Sequence, residues 1–359
     1  MRARGILVDR ELAALLGGAI RPVPGAAPIR AEQLQPASLD LRLGPLAHRV
    51  RAGFLPESSS IEERLAELAT SRVSLEGEGG GLERGLVYLV PLEEELALAP
   101  DLAARFNPRS STGRMDLFTR VRVPGSPRFD EAPAGFHGKL WLEVAPLSFP
   151  VRLRRGDRLC QLRLARGASA LTHAELVARA ADELAFDGEG GLCLRLGLAG
   201  REPCGWRAAL STAVVEFAGQ GAHEAEDFWE PVHAKNGHCV LEPGRFYLFA
   251  SSERLRIPPD LAAEMLPIDV GIGELRNNYA GFFDSGFGWD EARPGGTPAV
   301  LEVRAHDVPF LVEEGQPFFR LKFFRTTGRP DKLYGQGRAG YSYGRQDLTL
   351  ARAFRPPRR

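Results

Sequence analysis

Apolar residues along this chain come in short runs, punctuated by Gly and Pro. Lys139-Leu-Trp-Leu-Glu-Val144, 159–164, 299–303 and 318–324 are of this kind. Short apolar and aromatic runs bounded by turn formers predict strands. Helical spacing is confined to 9–16 and 173–184. The expectation is a mainly β protein with few peripheral helices, built as a sandwich, jelly roll or distorted barrel. Residues 58–78 and 187–221 read as insertions or joining segments, and 353–359 as a frayed end.

The pattern also repeats. Gly85-Leu-Val-Tyr88, reaching Pro100-Asp-Leu-Ala-Ala104, returns as Gly244-Arg-Phe-Tyr247, reaching Pro259-Asp-Leu-Ala-Ala263, at an offset of 159 residues. Trp141-Leu-Glu-Val144 returns as Val300-Leu-Glu-Val303, and Gly156 as Gly315, at the same offset. Leu41-Arg-Leu-Gly44 has a fainter echo in Leu194-Arg-Leu-Gly197. So long a period suits a duplicated domain better than a solenoid. We expect two tandem copies, 1–168 and 169–359.

Composition narrows the function classes. The 359 residues carry 46 Lys+Arg against 46 Asp+Glu, so no basic surplus points to nucleic acid. Cys160, Cys193, Cys204 and Cys239 form no Cys-x-x-Cys pair, which argues against a disulfide framework or a zinc knuckle. A zinc deaminase would need Pro-Cys-x-x-Cys, and Pro203-Cys204 lacks the second cysteine. His233, His238 and Cys239 are close in sequence without a matching partner set. No apolar stretch reaches the ~20 residues of a membrane span, and a reducing cytoplasm is the expected compartment.

Four kinds of segment could carry chemistry. Arg109-Ser-Ser-Thr-Gly-Arg114 offers guanidinium forks, hydroxyls and backbone N–H groups, which together suit an oligophosphate. A solvated loop is the plain alternative, but at the same offset copy two reads Ile268-Asp-Val-Gly-Ile-Gly273, without Arg or Ser. One copy has the cradle and the other does not, as specialisation would produce. Glu143, and its repeat mate Glu302, sit in apolar strands; in a partly apolar pocket such a carboxyl could shuttle protons near neutral pH. An ordinary edge-strand Glu is the other reading. Arg128-Phe-Asp130 and Phe283-Asp284-Ser-Gly-Phe287 are turns with one Asp each, able to address a base edge or to serve only as hairpins. Lys332-Leu-Tyr334-Gly-Gln336, running on to Arg338 and Tyr343, could close as a lid or trail as a tail.

Taken together these segments resemble the dCTP deaminase family of the dUTPase-like fold, in a long bacterial form with two copies of the domain. Gln35-Pro-Ala-Ser-Leu-Asp-Leu-Arg-Leu-Gly44 resembles the family's N-terminal motif. Arg109-Ser-Ser-x-x-Arg114 resembles its phosphate-binding motif. Ala134-Gly-Phe-His-Gly-Lys-Leu-Trp-Leu-Glu143 resembles the segment ending in its catalytic Glu, and Lys332-x-Tyr-x-Gln336 its closing tail. The resemblance implies zinc-free hydrolysis of dCTP to dUTP and ammonia, with Mg²⁺ only accompanying the triphosphate. It implies Glu143 or Glu302 as the base, with Glu143 preferred for its more complete motif, and Ser110 and Arg114 beside it. Arg109, Ser111, Arg128, Asp130, Asp284, Lys332, Tyr334 and Gln336 are the expected substrate contacts. The expected partners are dCTP, dUTP, dTTP as a further candidate, and a homo-oligomer with sites between domains. A dUTP diphosphatase, a bifunctional enzyme and a non-catalytic nucleotide binder stay open.

Overall fold

Strand pairing in the computed structural model repeats at the offset seen in the sequence. The structure describes residues 3–55, 60–179, 191–267, 275–276, 281–289, 295–305, 307–336, 343 and 346–357. In copy one Phe106 lies opposite Leu162, and in copy two Met265 lies opposite Leu321, with both partners shifted by 159. Leu89 faces Glu143 as Leu248 faces Glu302. The hydroxyl of Tyr88 accepts from the Glu83 N–H, and that of Tyr247 from the Glu242 N–H. The fainter upstream echo is structural too. The Gly156 N–H donates to Leu43 and the Gly315 N–H to Leu196, each 2.8 Å long and each from a glycine at positive φ, where a side chain would be strained.

The fold is mainly β with a few short helices. Copy one splits into two principal sheets. One carries Cys160–Arg166 between Leu102–Pro108 and the edge strands Gly5–Ile6 and Leu39–Leu41; the other carries Val87–Ala97 beside His137–Pro146. Between them lies a core of Leu, Val and Phe side chains. Copy two curls into one nine-stranded sheet, because Gly191–Gly197 pairs with both Phe246–Leu255 and Pro317–Arg325. That strand lies within the segment expected to be a joiner: it is a central strand of the second copy. The helical spacing at 9–16 and 173–184 gives the helices Asp9–Leu15 and His173–Arg179, and 180–190 lies outside the described residues.

The copies meet as at a two-fold axis. Arg105 donates 3.1 Å to Glu264, its own repeat mate, and Asn107 adds a bond of 3.2 Å to the same carboxylate. Contact between a residue and its counterpart is the signature of a self-complementary interface.

The expected frayed end is a correction. Residues 353–357 are docked: Phe354 packs edge-on to Trp229 at 5.7 Å between ring centres and lies 5.3 Å from Phe228. Its burial in an aromatic cluster outweighs the mobility usual at a terminus. Residues 358–359 lie outside the described residues. Among the described residues no helix is long and apolar enough to cross a membrane.

Candidate active site

A cavity of about 960 Å³ opens between the copies, lined from both and covered by the C-terminal segment. Copy one contributes the turn after Leu102–Pro108. Asp40 fixes its entry through an ion pair with Arg109 at 3.2 Å, and Arg109 also donates to the Arg158 carbonyl. The buried Thr112 hydroxyl donates 2.8 Å to Leu159, so Thr112 holds the turn. Arg109, Ser110, Ser111 and Arg114 line the cavity. Arg114 is buried, gives one N–H to the Thr349 carbonyl at 2.7 Å, and stacks 3.8 Å over the Tyr343 ring. Its Nε has no hydrogen-bond partner among the described residues. The Ser111 and Tyr343 hydroxyls share a bond of 2.9 Å.

Copy two contributes the acid. Glu302 lies on Thr297–Ala305 and is 6% exposed. Its carboxyl fills the space over Gly113, so that a Cβ built there would overlap it. Burial pushes the carboxyl from an ordinary 4.5 to about 8; Arg114 pulls it down and Asp116 pushes it up. Desolvation dominates because no cation makes an ion pair with it among the described residues. Phe282, Phe283, Phe287 and Tyr334 wall the same cavity. Burial pushes the Tyr334 hydroxyl up to about 12, so it stays protonated.

Asp284 also lines the cavity, and copy one holds it. Arg163, 2% exposed, donates 2.8 Å to one carboxylate oxygen, and Ser38 donates 2.9 Å to the other. Arg163 also caps the carbonyls of Ala263 and Phe283 and stacks 4.0 Å over Phe282. Both terminal nitrogens of that guanidinium are thus spent on copy two.

The structure therefore brings together Arg109, Ser110, Ser111, Arg114, Asp284, Glu302 and Tyr334. Others stand apart. Glu143, favoured from its motif, forms an ion pair with buried Arg122 beneath Gly53, and neither residue lines the cavity. Helix Ile61–Leu68, in the segment expected as an insertion, supplies Ile61, Leu65 and Leu68 to the cluster covering that face. Arg128 and Asp130 line a separate, shallower cavity of about 420 Å³. Asp130 is also not the counterpart of Asp284. Ala104 and Ala263 are mates, and their partners Ala132 and Phe283 make Pro133 the structural equivalent of Asp284. Lys332 turns to copy one, donating from Nζ to the Leu34 carbonyl and from its N–H to Asp9. The exposed Gln336 accepts from the Leu333 N–H. The segments 268–273 and 337–342 lie outside the described residues.

Arg163, Arg352 and the Thr349 carbonyl were missed as site residues. Arg163 lies in a strand with no cluster around it, and 346–357 carries no Gly-rich motif of the kind at Lys332–Gln336. No group of three or more His, Cys, Asp or Glu that could hold a metal occurs among the described residues. No cysteine is in a disulfide.

Comparison with known proteins places the chain in a family. Residues 3–168 match the family described as "2'-deoxycytidine 5'-triphosphate deaminase (DCD) N-terminal domain", and 165–354 its "C-terminal domain". The chain is 42% identical to a structure titled "Crystal structure of 2'-deoxycytidine 5'-triphosphate deaminase from Agrobacterium tumefaciens", covering 90% of this chain and 100% of that one at a TM-score of 0.84. It is 31% identical to the "dCTP deaminase, dUMP-forming" of Methanobrevibacter smithii over 36% of this chain and 66% of that protein. It is 39% identical to the "dCTP deaminase" of Sulfurisphaera tokodaii over 24% of this chain and 42% of that one. It is 32% identical to the "dCTP deaminase, dUMP-forming" of Rhodococcus opacus over 47% and 84%. The chain thus spans just under two thirds of the Methanobrevibacter relative and less than half of the Sulfurisphaera one. Matched along both halves by the two domains of one family, the chain belongs to the dCTP deaminase family.

Proposed function

We propose that the cavity between the copies hydrolyses dCTP to dUTP and ammonia, with Glu302 moving the protons. One observation carries this: a carboxyl raised to about 8 stands against the Arg109–Arg114 turn. Near neutral pH it can hold or release a proton, as a group that serves as base and then as acid must. The ionised carboxylate takes a proton from water as the oxygen bonds to C4 of cytosine. The same carboxyl then protonates the amine, the C4–N bond breaks and ammonia leaves, while the proton of the C4 hydroxyl passes to N3 to give the C4 carbonyl.

Arg114 and Ser110 hold the water and the ring beside Glu302. Arg109, Ser110 and Ser111 take the phosphates, whose charge suits guanidinium forks, and Mg²⁺ arrives with the triphosphate as part of the substrate. Asp284 meets the sugar or base, and Tyr334 packs beside them. Glu143, Arg128, Asp130, Lys332 and Gln336 touch no substrate in this reading. A single chain supplies both halves of the site, so a homo-oligomer is compatible but not required for the juxtaposition. dTTP shares the pyrimidine, sugar and triphosphate and would compete for the same cavity. A reducing cytoplasm suits four cysteines without a disulfide.

A second reading, further cleavage to dUMP and pyrophosphate, is favoured by relatives named dUMP-forming. Purified protein with dCTP and Mg²⁺, followed for ammonia, dUTP and pyrophosphate, tests both. Ammonia with accumulating dUTP is the expected result. Ammonia with stoichiometric pyrophosphate would select the second reading, and nucleotide binding without ammonia would overturn both.

A further inference from the structure

The C-terminal strap 346–357 is part of the cavity wall, and one of its side chains is placed for a ligand that the fold itself does not supply. The main chain around Arg352 is fixed. Gly221 donates 2.9 Å to the Arg352 carbonyl, His223 donates 3.1 Å to Ala353, and Arg355 donates 2.8 Å to His223. Phe354 anchors the strap in the aromatic cluster. Arg352 is therefore held on a supported backbone, as a binding group must be.

Its guanidinium contrasts with its neighbours. Arg109 is paired with Asp40 and Arg355 with Glu224. Arg352 lines the same cavity, half-buried, and makes no ion pair among the described residues. Its Nε is buried without a hydrogen-bond partner among the described residues, and the Phe217 ring lies 5.9 Å away. Burial lowers its proton affinity and the charge of Arg109 lowers it further, with weaker compensation from Tyr343, Asp157 and Asp40. Both cations line one cavity and each disfavours the other's charge, a repulsion that a polyanion bound there would reverse.

We infer that Arg352 binds the phosphate chain of the nucleotide together with Arg109, so that the C-terminal strap completes the cradle begun by Arg109-Ser-Ser. The nucleotide as ligand rests on the deaminase reading; the anion site does not.

Inorganic tripolyphosphate is the probe, titrated by calorimetry into the full chain. Arg352→Gln should weaken its binding by about tenfold or more, the loss of a charge-assisted bond, while Arg352→Lys recovers most of it. With dCTP, Arg352→Gln should raise KM by a similar factor and leave kcat within about threefold, a loss of binding shared by ground and transition states. Unchanged thermal melting of the Gln variant shows that the strap is still docked. Tripolyphosphate binding as tight in Arg352→Gln as in the wild type, or absent from the wild type, overturns the inference. Wild-type protein without deaminase activity but with Arg352-dependent tripolyphosphate binding would sink the deaminase reading and leave this one standing.

Discussion

Glu143 and Glu302 occupy the same place in the two copies, opposite Leu89 and Leu248 on equivalent strands. Their surroundings differ entirely. Over Glu143 lie Gly53 and the cluster built on helix Ile61–Leu68, with Arg122 as ion-pair partner. Over Glu302 lies copy one's Arg109–Arg114 turn, with a cavity instead of an ion pair. The same strand position thus carries an ion pair in one copy and a buried carboxyl with a raised pKa in the other. The layer packed on a strand, more than the strand, decides what its carboxylate can do.

The sharpest break of this comparison is removal of each acid in turn. Glu302→Gln should lower kcat for ammonia release by about 10²–10⁴-fold, the usual worth of a positioned acid–base group. Glu143→Gln should leave kcat within a few-fold. Equal losses in both variants would mean that the two carboxylates are not functionally distinct. In the wild type, kcat/KM should rise with pH through about 8, since the base must be ionised in the free protein. A rate independent of pH from 6 to 9 would contradict that assignment.

Stability should separate the pair with opposite signs. Glu143→Gln strands the Arg122 charge in the interior, at a cost of about 3–5 kcal/mol by analogy with broken buried pairs. Folded Glu302 holds its proton up to about pH 8, against 4.5 ordinarily. Between those values the folded chain binds a proton that the unfolded chain has lost. This contribution is complete below about 4.5 and disappears as pH rises through about 8. Glutamine has nothing to ionise, so Glu302→Gln should gain on the wild type as pH rises, by up to a few kcal/mol at pH 8. Denaturant melts at pH 5 and pH 8 measure both effects. A Glu302→Gln advantage that shrinks with rising pH would exclude a raised pKa.

Much of this was legible beforehand because it is local or periodic. Strand runs, the offset of 159 and the Arg109–Arg114 cluster need only neighbours along the chain to be seen. The choice between the acids was not legible, because it depends on what covers each strand. The motif around Glu143 is the more complete one, yet Gly53 and the helix Ile61–Leu68, which lies within the 58–78 segment read as an insertion, lie over it. Asp130 is out of register with Asp284 for another reason. Copy one has eight more residues than copy two between the mates Ala104 and Ala263 and their partners Ala132 and Phe283, so similar-looking turns fall out of register. Arg352 and Arg163 act across hundreds of residues of chain or across the interface between copies, where no spacing rule reaches.

The smallest expected effect tests whether that interface is directional. Asp284 in copy two corresponds to Pro133 in copy one, and its two holders also lack equivalents. By the pairing registers Ser38 corresponds to Gly191, and Arg163 to Lys322. The Ser38–Asp284–Arg163 bridge therefore runs one way only, from copy one to the cavity wall of copy two. Ser38→Ala removes one donor and leaves Arg163 in place, while the cavity beside Asp284 gives water access to the vacated oxygen. The cost should be about 1 kcal/mol, the net worth of one hydrogen bond, and kcat/KM for dCTP should fall by less than tenfold, mainly through KM. Arg163→Met, which leaves Asp284 charged without its main partner, should cost more in both measurements. If Ser38→Ala were the more damaging of the two, the hydroxyl would be acting on the nucleotide itself and not through Asp284.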